Sequence, residues 1–391
     1  MYFSTRIRLL QISILPLLLI AAFMPVVAQT PVPAAPSVGA TSYVLVDYHS
    51  DTVIAELDAD ARVEPASITK LMTSYVVFSE IEQGNLALDD EVLVSEKAWR
   101  TEGSRMFVEV GKSVTVEELL KGIIIQSGND ASVALAEHVG GTEEVFASMM
   151  NEEARKLGMV NTHYVNATGL PHAEQYTTAR DVALLAAALI ERFPDFYAWY
   201  SEREYTYNDI RQHNRNRLLW RDPSVDGLKT GHTESAGYCL VTSAMRDGMR
   251  LISVVMGTAS EEARASASQA LLNYGFRFFE TYQLYQAGDQ LSVERIWKGA
   301  ADELPLGLDE DLFVTIPRSR YDALQARLEV NGTLTAPVAE GERVGRLVVA
   351  LDGSDLAERP LVALAGVEQA GFFGRSIDGL RLWVGGLFGG D

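Results

Sequence analysis

Two clusters of strand-like sequence, at 42–55 and 237–256, are separated by about 180 residues of mainly helical pattern, and this interruption constrains the fold more than any other feature. The first cluster, Ser42-Tyr43-Val44-Leu45-Val46-Asp47, turns at His49-Ser50-Asp51 and resumes at Thr52-Val53-Ile54-Ala55, which predicts a hairpin. Between the clusters, 67–82, 116–125, 131–139, 142–157 and 179–192 each carry an apolar stripe at helical spacing. The second cluster, 237–243 and 250–256, is followed by a helix expected over 261–278. Strands so far apart must meet to bury their faces. The expected fold class is therefore α/β (α+β): an antiparallel sheet flanked by helices, with a helical subdomain set between its first and last strands.

The rest of the chain divides by composition. Residues 1–28 combine Arg6 and Arg8 with an almost uncharged apolar run that ends in Val26-Val27-Ala28, the pattern of a cleavable export signal. The Pro- and Ala-rich stretch within 29–40 is a linker, 41–280 the main domain, and 281–368 a small all-β domain of short apolar runs separated by Gly, Pro, Asp and Asn. In 369–391, Phe373, Ile377, Leu380, Val384 and Leu387 recur every three or four residues with Arg375 and Arg381 largely off that stripe. This segment is expected to be an amphipathic helix lying on a membrane surface; Gly374, Gly379, Gly385 and Gly386 interrupt the stripe and make it a poor span.

Loss of Arg6 and Arg8 with the signal would take the net charge from -20 to -22, so nucleic acid is not an expected partner. The lone Cys239 cannot form an internal disulfide and is expected to be buried and inert. The six histidines are scattered without metal-ligand spacing, and neither a metal nor a cofactor is expected.

Three short motifs carry the chemistry. Ser67-Ile68-Thr69-Lys70 opens a helix, placing a hydroxyl and an amine three residues apart on one face. The lysine can take the serine proton only if burial or nearby positive charge lowers its pKa. Ser127-Gly128-Asn129 is a turn between helices that can project a proton-relaying hydroxyl and a peptide-binding amide into one cleft. Lys229-Thr230-Gly231 leads through His232 and Thr233 along a strand whose glycine keeps the edge clear for an extended peptide, and Lys229 would keep Lys70 and Ser127 primed. The backbone N-H groups of Ser67 and His232 are the expected oxyanion donors.

Each motif alone is ordinary. In this order, with the helical insert, they resemble the set found in serine β-lactamases and penicillin-binding proteins, and from Ser42 onward the chain resembles the low-molecular-mass, type-5 D-alanyl-D-alanine carboxypeptidases. That resemblance implies a β-lactamase/transpeptidase-like fold, Ser67 as acylated nucleophile, Lys70 as its base, and Ser127, Asn129 and Lys229 as the remaining catalytic groups. Thr230, Gly231, His232, Thr233 and Arg264 would bind substrate, with Arg264 near its terminal carboxylate. It also implies a peptidoglycan stem pentapeptide as substrate, β-lactams as covalent inhibitors, and attachment to the periplasmic side of the inner membrane.

Alternatives stay open at this level. They are a β-lactamase, a DD-endopeptidase, a wall-binding protein without activity, Arg264 in a surface ion pair with Glu261 or Glu262, and His232 acting through its backbone alone. Arg100, Glu102 and Arg105 belong either to a solvated loop or to the cleft rim.

Overall fold

The computed structural model describes residues 32–372 together with Ser376 and Asp378. The export signal expected at 1–28 lies outside them, as do Phe373, Ile377, Leu380, Val384 and Leu387 of the expected amphipathic stripe. Among the described residues no helix is long and apolar enough to cross a membrane.

In chain order come β1 (Ser42–Asp47), β2 (Val53–Leu57), a 3-10 turn at Ala66–Ile68, α1 (Thr69–Glu82), β3 (Glu91–Leu93), α2 (Glu96–Arg100), β4 (Ser113–Thr115), α3 (Val116–Gln126), α4 (Asn129–Gly140), α5 (Glu143–Lys156) and α6 (Ala179–Arg192). There follow α7 (Pro194–Tyr197), β5 (Glu204–Tyr207), β6 (Ile210–His213), α8 (Leu218–Arg221), β7 (Val225–Thr233), β8 (Gly237–Arg246), β9 (Met249–Thr258) and α9 (Glu261–Phe278). The β-rich part holds β10 (Phe279–Tyr285), β11 (Gln290–Arg295), β12 (Glu303–Gly307), β13 (Leu312–Pro317), β14 (Leu324–Val330), β15 (Arg343–Leu351) and β16 (Ser354–Ala363).

The two strand clusters join in one antiparallel sheet of order β2-β1-β9-β8-β7, with Tyr43 opposite Val255 and Leu45 opposite Ser253. Alternation along the strands sorts side chains between two cores. Tyr43, Leu45, Leu251 and Val255 pack with Leu271, Leu272 and Phe276 of α9. Val44, Ile252, Val254 and Met256 pack on the other side with the inserted helices. Helix α1 is buried from Thr69 to Ser79, so it runs through the core and carries Lys70 inside with it. Thr115, Thr142, Thr178 and Ser260 each accept a backbone N-H at a helix start, worth about 1 kcal/mol apiece.

The antiparallel pair β3–β4, which brackets α2, and the small hairpin β5–β6 were not expected from the sequence, since strands of three or four residues are too short to show a period. β7 ends the main sheet, so the outer row of its backbone groups has no strand partner among the described residues.

In the β-rich part, a sheet of order β11-β12-β16-β15-β14 packs through Leu347 and Val349 against Leu312 and Val314 of the β10–β13 pair. β10 follows α9 directly, and a polar knot ties this part to the β1–β2 turn. Asp47 accepts hydrogen bonds from His49 N (3.1 Å), Ser50 N (2.9 Å) and Thr281 Oγ1 (2.6 Å), while Thr315 Oγ1 lies 2.6 Å from Ser50 Oγ and 2.9 Å from Thr281 Oγ1. His49 also stacks on Phe313 with ring centroids 4.8 Å apart. At the far end, Asp378 accepts the Lys298 backbone N-H at 2.8 Å.

Candidate active site

Ser67 sits in the 3-10 turn ahead of α1, and Ala66 before it occupies the left-handed region at φ 47°. Two glycines let the cleft walls press against this turn. A Cβ on Gly231 would meet Ile68 Cγ1 and the Pro65 oxygen, each at 3.2 Å, and one on Gly169 would fall 1.8 Å from the Ala66 carbonyl oxygen. Gly231 thus does more than clear a strand edge for a peptide: it brings β7 onto the nucleophile turn.

Lys70 is wholly buried, and its Nζ lies 3.0 Å from Ser67 Oγ, 2.7 Å from Asn129 Oδ1 and 2.5 Å from the Thr168 carbonyl oxygen. Burial, with the positive charge of Arg215 nearby, pulls its pKa down to about 7, against a smaller opposing effect of Asp130. A neutral amine has two N-H groups and one lone pair. The two shorter contacts go to acceptors that only an N-H can satisfy, which leaves the lone pair for the Ser67 hydroxyl.

Ser127 caps α3 in the left-handed region at φ 65°, and the chain re-enters helix at Asn129. That kink turns both side chains to the cleft. Asn129 is fixed by donating from N to Ser104 O (2.7 Å) and from Nδ2 to Glu102 O (2.6 Å), so its Oδ1 is the end offered to Lys70. Lys229, also buried, donates to Ser127 Oγ at 2.9 Å and to Thr230 O at 3.1 Å. Burial holds its pKa well below the ordinary lysine range, with Lys70, Arg215 and Arg264 pushing the same way.

Ser67, Ser127 and Asn129 line a cleft of about 450 Å³ together with Thr230, Gly231, His232, Thr233 and Arg264, while Lys70 and Lys229 lie buried against the Ser67 and Ser127 hydroxyls. Arg264 is only 4% exposed and donates to Gly231 O at 3.1 Å. The surface ion pairs weighed for it do not form: Glu261 pairs with Arg217 at 2.5 Å and Glu262 with Arg221 at 2.6 Å. His232 is exposed and stacks on Tyr238 with centroids 3.9 Å apart. Gly103 and Ser104 line the cleft, so the charged stretch around them is part of its rim.

Two residues of the site escaped the sequence. Arg215 lines the cleft with no ion pair among the described residues, projected there because Asn214 and Asn216 on either side are buried and bound to backbone carbonyls of Glu202 and Gly227. The Asn-Arg-Asn run was the available signal. Asp130, 1% exposed, accepts backbone N-H groups from Met106 (3.0 Å), Phe107 (2.9 Å) and Val108 (3.2 Å), and so pins the rim loop. Its sequence neighbour Asn129 drew the attention instead.

A serine facing a buried amine, a second serine held by a second lysine, and an edge strand beside them define a penicillin-recognising serine peptidase in fold and in geometry. The chain belongs to the D-alanyl-D-alanine carboxypeptidase family, whose pattern matches residues 29–260, and residues 279–369 match the C-terminal domain of penicillin-binding protein 5. It is 43% identical over 369 residues to the D-alanyl-D-alanine carboxypeptidase DacA of Escherichia coli, covering 92% of each chain. It is 45% identical over 366 residues to DacC of the same organism, covering 90% of this chain and 92% of that one. The crystal structure of penicillin-binding protein 5 from Haemophilus influenzae superposes with a TM-score of 0.84 at 42% identity, over 86% of this chain and all of that one.

Proposed function

We propose that this chain is a serine-type D-Ala-D-Ala carboxypeptidase that removes the terminal D-alanine from peptidoglycan stem pentapeptides through an acyl-enzyme on Ser67. The contact of Lys70 Nζ with Ser67 Oγ at 3.0 Å, in a pocket that favours the neutral amine, is the observation that carries this reading. The proton of Ser67 passes to Lys70 as Oγ bonds to the carbonyl carbon of the penultimate D-alanine. The backbone N-H groups of Ser67 and His232 receive the oxyanion, an arrangement in which one donor is worth about 3 kcal/mol of barrier. As the C–N bond breaks, the leaving amine takes the proton of Ser127, whose hydroxyl is held by Lys229, and the proton that Lys70 took from Ser67 restores that hydroxyl, so Lys70 is neutral again when the amine departs. Water then releases the shortened peptide.

Arg264, Arg215 and Thr230 supply the positive and polar surface for the terminal carboxylate. β-Lactams follow the first step and stay bound. Glu261, the carboxylate among the cleft-lining residues, is engaged by Arg217 and is not offered as a base for rapid hydrolysis of the adduct. The family relationship supports work in the periplasm, and the stripe from Phe373 to Leu387 supports attachment of the tail to the membrane surface.

The test is Ser67→Ala. D-alanine release from a pentapeptide and the mass shift on incubation with benzylpenicillin should both vanish. Release at an undiminished rate would sink the proposal.

A further inference from the structure

The Thr168 carbonyl that receives Lys70 Nζ at 2.5 Å belongs to a turn closed on itself by one side chain. Asn166 Oδ1 accepts from Thr168 N (3.2 Å), Thr168 Oγ1 (3.0 Å) and Gly169 N (2.8 Å). These bonds fix the shape of the turn, and bonds from outside fix its place. Gln175 Oε1 anchors the chain that enters it, through Val165 N (3.0 Å) and Asn166 N (3.2 Å), and Ala167 anchors its middle. Ala167 is wholly buried, so its N-H and C=O both need partners. Both find theirs in side chains. The carbonyl accepts from Thr73 Oγ1 of α1 at 2.7 Å, and the N-H donates to Glu143 Oε1 of α5 at 3.1 Å.

Thr73 stands on the helix that carries Lys70, so the first of these ties is local to the base. Glu143 comes from elsewhere. It is the first residue of α5, 24 positions before Ala167 in the chain, and its side chain is only 12% exposed. Its second oxygen, Oε2, lies 2.8 Å from Lys97 Nζ of α2, so the carboxylate is held at both ends. Beyond α2 the chain becomes the cleft rim, where Glu102 O receives Asn129 Nδ2 at 2.6 Å, and Asn129 Oδ1 is the other acceptor of the Lys70 amine, at 2.7 Å. The two acceptors of Lys70 are thus braced from α5 and from the segment after α2, and the pair of Lys97 with Glu143 joins those two helices.

An acidic residue at a helix start ordinarily serves the helix, because negative charge is favoured at that end. In α5 the Thr142 hydroxyl already accepts from Val145 N, and Glu144 supplies a second negative charge in the same turn, while Glu143 reaches away to Ala167. We propose that Glu143 is a positioning residue for Lys70: its Oε1 holds the Ala167–Thr168 peptide so that the Thr168 carbonyl meets one N-H of the amine and the lone pair stays aimed at the Ser67 hydroxyl. The inference rests on the carboxypeptidase reading above and adds to it a residue outside the cleft. With the turn slack, the amine is free to swing, and a displacement on the order of 1 Å at a reacting group costs up to about a hundredfold in rate. Thr230, Gly231 and Arg264 stand on β7 and α9, so peptide binding is spared while the proton step suffers.

Two substitutions separate the acceptor from the charge. Glu143→Gln keeps an oxygen at full reach and discards the charge, whereas Glu143→Asp keeps the charge at the start of α5 and withdraws the oxygen by one methylene. The measurements, on the full chain, are kcat and KM for D-alanine release from a pentapeptide and the rate of benzylpenicillin acylation, each scaled to the folded fraction given by near-UV circular dichroism. Glu143→Asp should lower kcat and the acylation rate about 10-fold with KM within about twofold of the wild type, and Glu143→Gln should keep about half of both rates or more. A role confined to the helix charge or to the ion pair with Lys97 predicts the reverse order. That reverse order, equal rates in the two variants, or a loss that shows in KM alone would overturn the positioning role. Failure of the wild type to form a benzylpenicillin adduct and to release D-alanine would instead overturn the carboxypeptidase reading, and the role of Glu143 with it.

Discussion

If Lys70 is the base, its protonation state sets the acid limb of the acylation rate. An ordinary lysine at 10.5 would be neutral in roughly 0.03% of molecules at pH 7, whereas one at about 7 is neutral in half of them. The drop from 10.5 to about 7 corresponds to about 5 kcal/mol of preference for the neutral amine, or more than a thousandfold in available base. Because the folded pKa is lowered, the reactive form is present above about pH 7 and is lost as pH falls through it. By pH 5 the rate should be about 1% of its plateau.

Two substitutions should move this limb in opposite directions. Arg215→Gln removes a charge that disfavours the ammonium, so the limb moves to higher pH. Asp130→Asn removes a charge that favours it, so the limb moves lower. The assay is the second-order rate of benzylpenicillin acylation from pH 5 to 9, followed by mass spectrometry of the adduct. A rate flat across that range, or a midpoint unmoved by both variants, would refute the assignment of the base.

Gly169→Ala places a methyl group into the Ala66 carbonyl at a residue with φ 81°, and should cost about 3 kcal/mol with a matching fall in acylation. Urea denaturation and penicillin adduct formation measure both. Asp47→Ala removes the acceptor at the centre of the knot between the sheets and should cost about 2 kcal/mol. It should also broaden the small-angle scattering profile while folded molecules acylate at the original rate; an unchanged profile would show that the knot does not hold the two parts together.

Much of this architecture was legible because it repeats at short range. The hairpin of Ser42 to Leu57, the helix Glu261–Phe278 and the buried strands around Val254 all announce themselves by period. The closeness of Ser67, Lys70, Ser127, Asn129 and Lys229 was legible for another reason: three ordinary motifs occurred in one known order. What stayed hidden depends on contacts between distant segments that leave no period. Arg215 gains its place from buried asparagines bound to backbone elsewhere, and Asp130 from the amides of a loop more than twenty residues earlier.

The knot around Asp47 has a mechanical consequence. A junction braced from both sides makes the β-rich part a strut rather than a leash. With its far end held, the catalytic mouth would work at one set height, and only stem peptides lying in that layer of the wall would come within its grasp. A second domain of another length would trim a different stratum.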